Sequence, residues 1–273
     1  MLDTIGIIGI GTIGSKLIPY LASKNYKVMA YNHKNIEMHR SNVQEIYCKR
    51  YKCLEDFESK IIFTENINDL SNLPLIIDAT PDKYEVKKEL YNTLDKICSK
   101  ETVIGCTTSS LDLNVLAEFY RQDNFFGFHV FNPPDKMQLI ELSFHDDVSL
   151  MCRDIMNNLK SKLTDKVFVE LPIIQGYVVN RLLFVYLNAA YNYHLSTSID
   201  FDKIDSCMKL GINAPMGPFQ LSDYIGNDVC LDILKQFYHS LDLPEYKPSK
   251  LLSDYVEKGL LGKKVKKGFY EYE

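Results

Sequence analysis

A glycine-rich run, Gly9-Ile10-Gly11-Thr12-Ile13-Gly14, directly follows the apolar segment Thr4–Ile8 and opens a stretch with helical spacing. Each glycine has a task if a dinucleotide sits there. Gly9 allows a tight turn, Gly11 lets the backbone approach a pyrophosphate, and Gly14 lets helix and strand pack closely. The N–H groups of Thr12, Ile13 and their neighbours at the helix start then meet the negative charge. The run is not a P-loop, because Gly14-Ser15-Lys16 inverts the Gly-Lys-Ser/Thr order. The next apolar run ends Tyr31-Asn32-His33-Lys34. A carboxylate at position 32 would bond the ribose hydroxyls of NAD and repel a 2′-phosphate. Asn32 does not repel it, and His33 and Lys34 would attract it, so NAD and NADP both stay open. Ala79 and Thr80, at the end of the fourth apolar run, complete the candidate cofactor contacts.

A second constellation lies further on. His129 ends one predicted strand and Glu141 lies within the next, joined through Asn132-Pro133-Pro134-Asp135-Lys136. That connection is too short for a parallel crossover, so a hairpin is expected. Pairing centred on Asp135 sets His129 opposite Glu141, about 5 Å apart at Cβ. A buried carboxylate beside an imidazole orients the ring and stabilises its protonated form, leaving the other nitrogen for general acid–base work.

The elements that must hold these residues follow from periodicity. Apolar runs at Thr4–Ile8, Lys27–Tyr31, 60–63, 75–79 and 102–106 read as strands, with helical stretches at 12–24, 35–50, 83–99 and 111–120 between them. Strands at 125–131, 137–143 and 166–170 and a helix at 147–162 follow. Such alternation predicts a Rossmann-type, doubly wound α/β domain, its sheet mostly parallel with an antiparallel edge. After about residue 172 the pattern turns helical, at 176–195, 202–210, 219–224, 228–241 and 249–258. The expected division is a dinucleotide-binding domain over 1–172 and an all-α domain over 173–273. Helix 176–195 carries apolar residues on more than one face, suited to a buried centre or a subunit contact.

Composition bounds the function. The 273 residues, 46% hydrophobic and 25% charged, suit a soluble globular chain. Thirty-one Lys+Arg against 36 Asp+Glu leave a net charge of −5, with no basic block of the kind nucleic acid requires. No apolar run is long enough to cross a bilayer. Asp3 and the interrupting glycines argue against a signal peptide, so a cytoplasmic location is expected. The 7 Cys are scattered without a CxxC pair, and no metal-ligand spacing appears among the 6 His.

The signature His129-Val-Phe-Asn-Pro-Pro-Asp-Lys-Met-Gln-Leu-Ile-Glu141 resembles that of the 3-hydroxyacyl-CoA dehydrogenase family. Thr107-Thr108-Ser109-Ser110-Leu111, Gly176-Tyr177-Val178-Val179-Asn180-Arg181-Leu182, the run Met216–Tyr224 and the tail Leu261-Gly262-Lys263 with Gly268-Phe269-Tyr270-Glu271-Tyr272 resemble further segments of it, in order along nearly the whole chain. The resemblance implies an NAD(P)-dependent oxidoreductase acting on a 3-hydroxyacyl thioester. His129 would take the C3 hydroxyl proton as hydride leaves for the nicotinamide, and Glu141 would orient His129. Ser109 and Asn180 would bond the substrate oxygen, and Asn132 would hold the nicotinamide side. A homodimer through the helical domain is also implied.

Four departures qualify this. Asn32 replaces the usual acidic residue, Thr107 stands where Asn is common, and Val265-Lys266 replaces Thr-Gly in the tail. The segment from Asn35 to about Lys60 is shorter than the family's helical hairpin that clamps coenzyme A, although Lys49, Arg50 and Lys52 keep a basic cluster. A shortened clamp leaves two carriers open, coenzyme A or an acyl carrier protein. A reading from another class is a dinucleotide-sensing protein without turnover. A sensor needs the glycine loop but not a base with its orienter.

Overall fold

Strands buried on both faces need continuous apolar sequence, and the middle of this chain supplies it. The computed structural model describes residues 2–51 and 56–273, so Lys52 and Cys53 lie outside the described residues. Among the described residues eight strands form one sheet: β1 (Thr4–Ile8), β2 (Lys27–Tyr31), β3 (Ile61–Thr64), β4 (Leu75–Asp78), β5 (Val103–Cys106), β6 (Phe125–Val130), β7 (Leu139–Phe144) and β8 (Val167–Leu171). Their order is β3-β2-β1-β4-β5-β6-β7-β8. The first six run parallel, β7 pairs antiparallel with β6, and β8 pairs parallel with β7. The antiparallel edge is therefore two strands wide.

Helices cover both faces. Alternate strand residues point to opposite sides, so Ile5, Ile7, Phe126 and Phe128 pack with α1 (Gly14–Ser23), α2 (Ile36–Tyr51) and α6 (Leu150–Lys162). Ile8, Ile76, Ile104 and Phe125 pack on the other side with α4 (Tyr84–Ile97) and α5 (Leu113–Ala117). A single turn, α3 (Phe57–Lys60), precedes β3. Helix α5 starts later than its periodicity suggests. The Thr108 hydroxyl accepts from the Ser110 and Leu111 N–H groups, and Asp112 caps the helix by accepting from Asn114.

The chain divides into two units, Met1–Tyr177 and Val178–Glu273. Residues 173–177, assigned by sequence pattern to the second domain, pack instead on the first. Ile173 and Tyr177 join its hydrophobic cluster, and the Gln175 amide donates to the Ser110 carbonyl at 2.7 Å.

The second unit holds α7 (Val179–Thr197), α8 (Phe201–Gly211), α9 (Pro218–Ile225), α10 (Asn227–Leu241) and α11 (Lys250–Glu257) around Phe184, Tyr191, Phe219 and Phe269. Two buried carboxylates tie it together. Asp205 accepts from the Phe219 and Gln220 N–H groups, both at 2.9 Å, and so caps α9. Asp223 accepts from the Phe269 and Tyr270 N–H groups, both at 2.9 Å, and so captures the tail. A side chain on Gly217 would strike Asp205, and one on Gly268 would strike Asp223. These motif glycines are thus required by packing. Lys263, Lys264, Lys266 and Lys267 are exposed, as expected of a solvated tail. On α7, Leu182, Tyr193 and Leu195 are 68%, 53% and 49% exposed.

The six described cysteines form no disulfide. Burial pushes the Cys98 and Cys106 thiols up to about 11 and those of Cys152 and Cys230 up to about 12. Because the thiolate is the reactive form, alkylation of the native protein at neutral pH is expected to modify exposed Cys207 and to spare these four. Mass mapping checks this, and rapid labelling of Cys106 would show that the sheet opens there.

Candidate active site

The strand order reverses between β1 and β4, and open α/β sheets bind ligands in the crevice at such a point. The glycine loop leaves β1 here and Ala79-Thr80 leaves β4. Gly9 has φ +91°, a left-handed backbone that glycine adopts without strain. A side chain on it would meet Ala79 at 2.8 Å and the Thr80 nitrogen at 2.9 Å, and one on Gly14 would strike the Gly9 carbonyl. Gly11, by contrast, has nothing within 4 Å of that position among the described residues. No side chain caps the start of α1. Open space over Gly11 beside an uncapped helix start fits a dinucleotide pyrophosphate.

Ala79 and Thr80 are fixed from below. Asp78, fully buried, accepts at Oδ1 from the Thr80 N–H and hydroxyl and at Oδ2 from Lys87 Nζ at 2.8 Å and Tyr91 at 2.6 Å. Lys87 is buried too. Burial alone would lower its pKa, but the Asp78 carboxylate reverses this and holds it above the usual lysine range.

Asn32 sits at the end of β2. Its Oδ1 accepts from the Ile10 N–H of the glycine loop at 3.4 Å, and its Nδ2 donates to the Lys34 carbonyl at 2.8 Å and lies 3.1 Å from His39 Nε2. His33 and Lys34 are exposed. Sequence reasoning missed His39, which only the turn of α2 brings back to Asn32.

The β6–β7 register pairs His129 with Glu141, the register expected about Asp135. The two residues are 3% and 1% exposed, and Nδ1 lies 2.7 Å from Glu141 Oε2. With the carboxylate accepting, Nδ1 carries the proton, and Nε2 is the nitrogen at which a proton can be exchanged. The imidazole packs against Tyr177, stacked at 4.6 Å and 16°, and Phe131 at 4.6 Å and 57°.

Cations hold the loop between the two strands. Lys16 Nζ donates to Asn132 Oδ1 at 2.8 Å, Lys166 Nζ donates to the carbonyls of Pro134 and Met137 at 2.7 and 2.8 Å, and Arg50 is ion-paired with Asp135. Burial first, then nearby Arg50, holds the Lys16 ammonium below its ordinary pKa. Lys16 and Lys166 carried no recognisable signal, since their partners lie far away in sequence. Arg50 of the expected basic cluster spends its charge on Asp135. It lines, with Lys24, Lys49, Lys136, Asp135 and Asp165, a cavity of about 650 Å³.

Ser109 follows β5, where its N–H donates to Asp82 Oδ2 at 2.8 Å, and that oxygen also accepts from the Ser110 hydroxyl at 3.2 Å. Neither serine is an N-cap, because Asp112 fills that position. Asn180 belongs to the helical unit, as the second residue of α7, and is 8% exposed. Among the described residues no helix is long and apolar enough to cross a membrane, and no His, Cys, Asp or Glu group could hold a metal ion.

Comparison with known proteins identifies the scaffold. The model of the 3-hydroxyacyl-CoA dehydrogenase NAD binding domain matches residues 4–172, and that of the same family's C-terminal domain matches residues 176–272. A 3-hydroxybutyryl-CoA dehydrogenase of Clostridioides difficile is 33% identical, covering 98% of this chain and 99% of that one. The mitochondrial hydroxyacyl-coenzyme A dehydrogenase of Rattus norvegicus is 30% identical over 100% of this chain and 92% of its own. The crystal structure of (S)-3-hydroxybutyryl-CoA dehydrogenase from Ralstonia eutropha superposes with a TM-score of 0.91 at 28% identity, covering 100% of both chains. With both domains matched in sequence order and relatives aligned end to end, the chain belongs to the 3-hydroxyacyl-CoA dehydrogenase family and is an NAD-binding dehydrogenase of that type.

Proposed function

We propose that the chain interconverts a 3-hydroxyacyl thioester and its 3-ketoacyl form, most simply (S)-3-hydroxybutyryl-CoA and acetoacetyl-CoA, with His129 as general acid–base. The buried His129–Glu141 pair carries this reading. The dinucleotide, when bound, supplies the hydride acceptor or donor. Nε2 of His129 takes the hydroxyl proton in oxidation and returns it in reduction, while the Glu141 carboxylate holds Nδ1–H and balances the charge gained. The Ser109 hydroxyl and the Asn180 amide bond the substrate oxygen and so direct C3. Asn132, its Oδ1 engaged by Lys16, keeps Nδ2 for the nicotinamide side. The test mixes purified protein with acetoacetyl-CoA and NADH or NADPH and follows loss of the reduced-nicotinamide absorbance. No turnover with either would remove the reading.

Coenzyme preference turns on Asn32. A carboxylate there would repel a 2′-phosphate, so Asn32→Asp is expected to raise the ratio of kcat/KM for NADH over NADPH. An unchanged ratio would place Asn32 away from the adenosine ribose.

A second reading keeps the chemistry and moves the acyl group to a carrier protein. Arg50 is bound to Asp135, which leaves fewer cations to meet the phosphates of coenzyme A. Faster turnover of a carrier-bound ketoacyl group than of acetoacetyl-CoA would select it. The exposed apolar residues of α7 support a homodimer through the helical unit, for which light scattering is the check.

A further inference from the structure

Tyr177 combines three features that are each unusual. Its backbone is left-handed, with φ 54°, where a bulky residue is strained. Its hydroxyl is buried without a hydrogen-bond partner among the described residues, and burial with the nearby Cys106, Asp82 and Glu141 holds its pKa well above the usual tyrosine range. Its ring stacks on His129 at 4.6 Å and 16°. The first two features disfavour the arrangement, and the third is what it achieves. Gly127 completes the picture. It lies two residues before His129 on β6, so both face the same side of the sheet. A side chain at Gly127 would strike the Tyr177 hydroxyl and come within 2.5 Å of Leu113 and 3.1 Å of Tyr177 Cζ. The glycine leaves room for the phenol, and the phenol then reaches over the imidazole.

A hydrogen bond at one edge of a ring fixes a point and leaves the plane free to swing. Glu141 holds the ring at one edge, through Nδ1. The plane must be set by what lies against the faces, and Phe131 is tilted by 57°. Resting on the reading of His129 as the acid–base, we propose that Tyr177 is a positioning residue: seated over Gly127, it sets the imidazole plane and hence the direction in which Nε2 exchanges its proton. The hydroxyl has no part in this, so a phenylalanine ring would serve as well.

The test uses the full chain with two substitutions. Tyr177→Phe keeps the ring and is expected to keep kcat and the His129 imidazole resonances. Tyr177→Leu removes the ring and is expected to lower kcat roughly 10²-fold, with thioester KM and NADH Kd, measured by nicotinamide fluorescence, unchanged. The imidazole carbon-bound protons should move downfield as the ring current disappears. Full kcat in Tyr177→Leu, unmoved His129 resonances, or a kcat loss in Tyr177→Phe equal to that in Tyr177→Leu would each overturn the assignment. Should the leucine variant not fold, Gly127→Ala displaces the ring from beneath and is expected to give the same kcat loss, with wild-type kcat overturning the proposal. His129→Gln measured alongside separates the two readings. If that variant keeps its rate, the acid–base assignment fails, while the resonances still report whether Tyr177 orients the ring.

Discussion

His129→Gln is expected to lower kcat by roughly 10²-fold or more, with NADH affinity retained. Glutamine keeps polarity and much of the bulk but cannot exchange a proton near neutral pH. The proposed dinucleotide contacts at Gly9–Gly14, Asn32 and Ala79-Thr80 lie on other elements, in the loops after β1, β2 and β4, so binding should survive. The assay is acetoacetyl-CoA reduction under saturating coenzyme, with NADH binding as the control. A variant that keeps a near-normal rate would reduce His129 to a buried structural histidine. Glu141→Gln should fall between wild type and this variant, because an amide oxygen still accepts from Nδ1–H but carries no charge to balance the imidazolium.

The largest stability effect is expected at the sheet centre. Asp78→Ala removes the acceptor of four hydrogen bonds and leaves the buried Lys87 ammonium without its carboxylate. Breaking a buried pair from one side costs about 3–5 kcal/mol, which corresponds to a fall in Tm of roughly 10 °C for a domain of this size. Asp78→Leu with Lys87→Met should recover much of that loss, since no charge is then left buried. Thermal unfolding of the variants decides. If Asp78→Ala and the double variant unfold at the same temperature, the pair contributes through shape alone. Asp78→Ala should also raise the KM for the dinucleotide, because Thr80 loses both of its bonds to Oδ1.

Much of this architecture is legible in the sequence. The fully buried strands β4, β5 and β6 announce themselves because a sheet covered on both faces needs unbroken apolar runs. The pairing of His129 with Glu141 was legible because the short connection between them is symmetric about Asp135 and antiparallel pairing then leaves one register. Residues whose partners lie far along the chain stayed silent. Lys16 looked only like a misplaced P-loop lysine, yet it bonds Asn132, 116 positions away. Lys166 and Arg50 gave no hint that they serve the same loop. Tyr177 was one letter in a motif, and its stacking depends on a glycine fifty residues earlier. Charge pairing across a fold carries no periodicity, so no pattern along the chain can reveal it.

The reciprocal numbering across β6 and β7 has an evolutionary corollary. Homologous chains can exchange apolar side chains of similar volume along these strands, but an insertion or deletion that offsets one strand by a single position would swap the two faces of the ribbon. Ile140 or Leu142 would then confront the imidazole, and the carboxylate would be driven into the opposite greasy layer. Length variation in this lineage should therefore accumulate in the long excursion after β2 and spare the few residues separating His129 from Glu141.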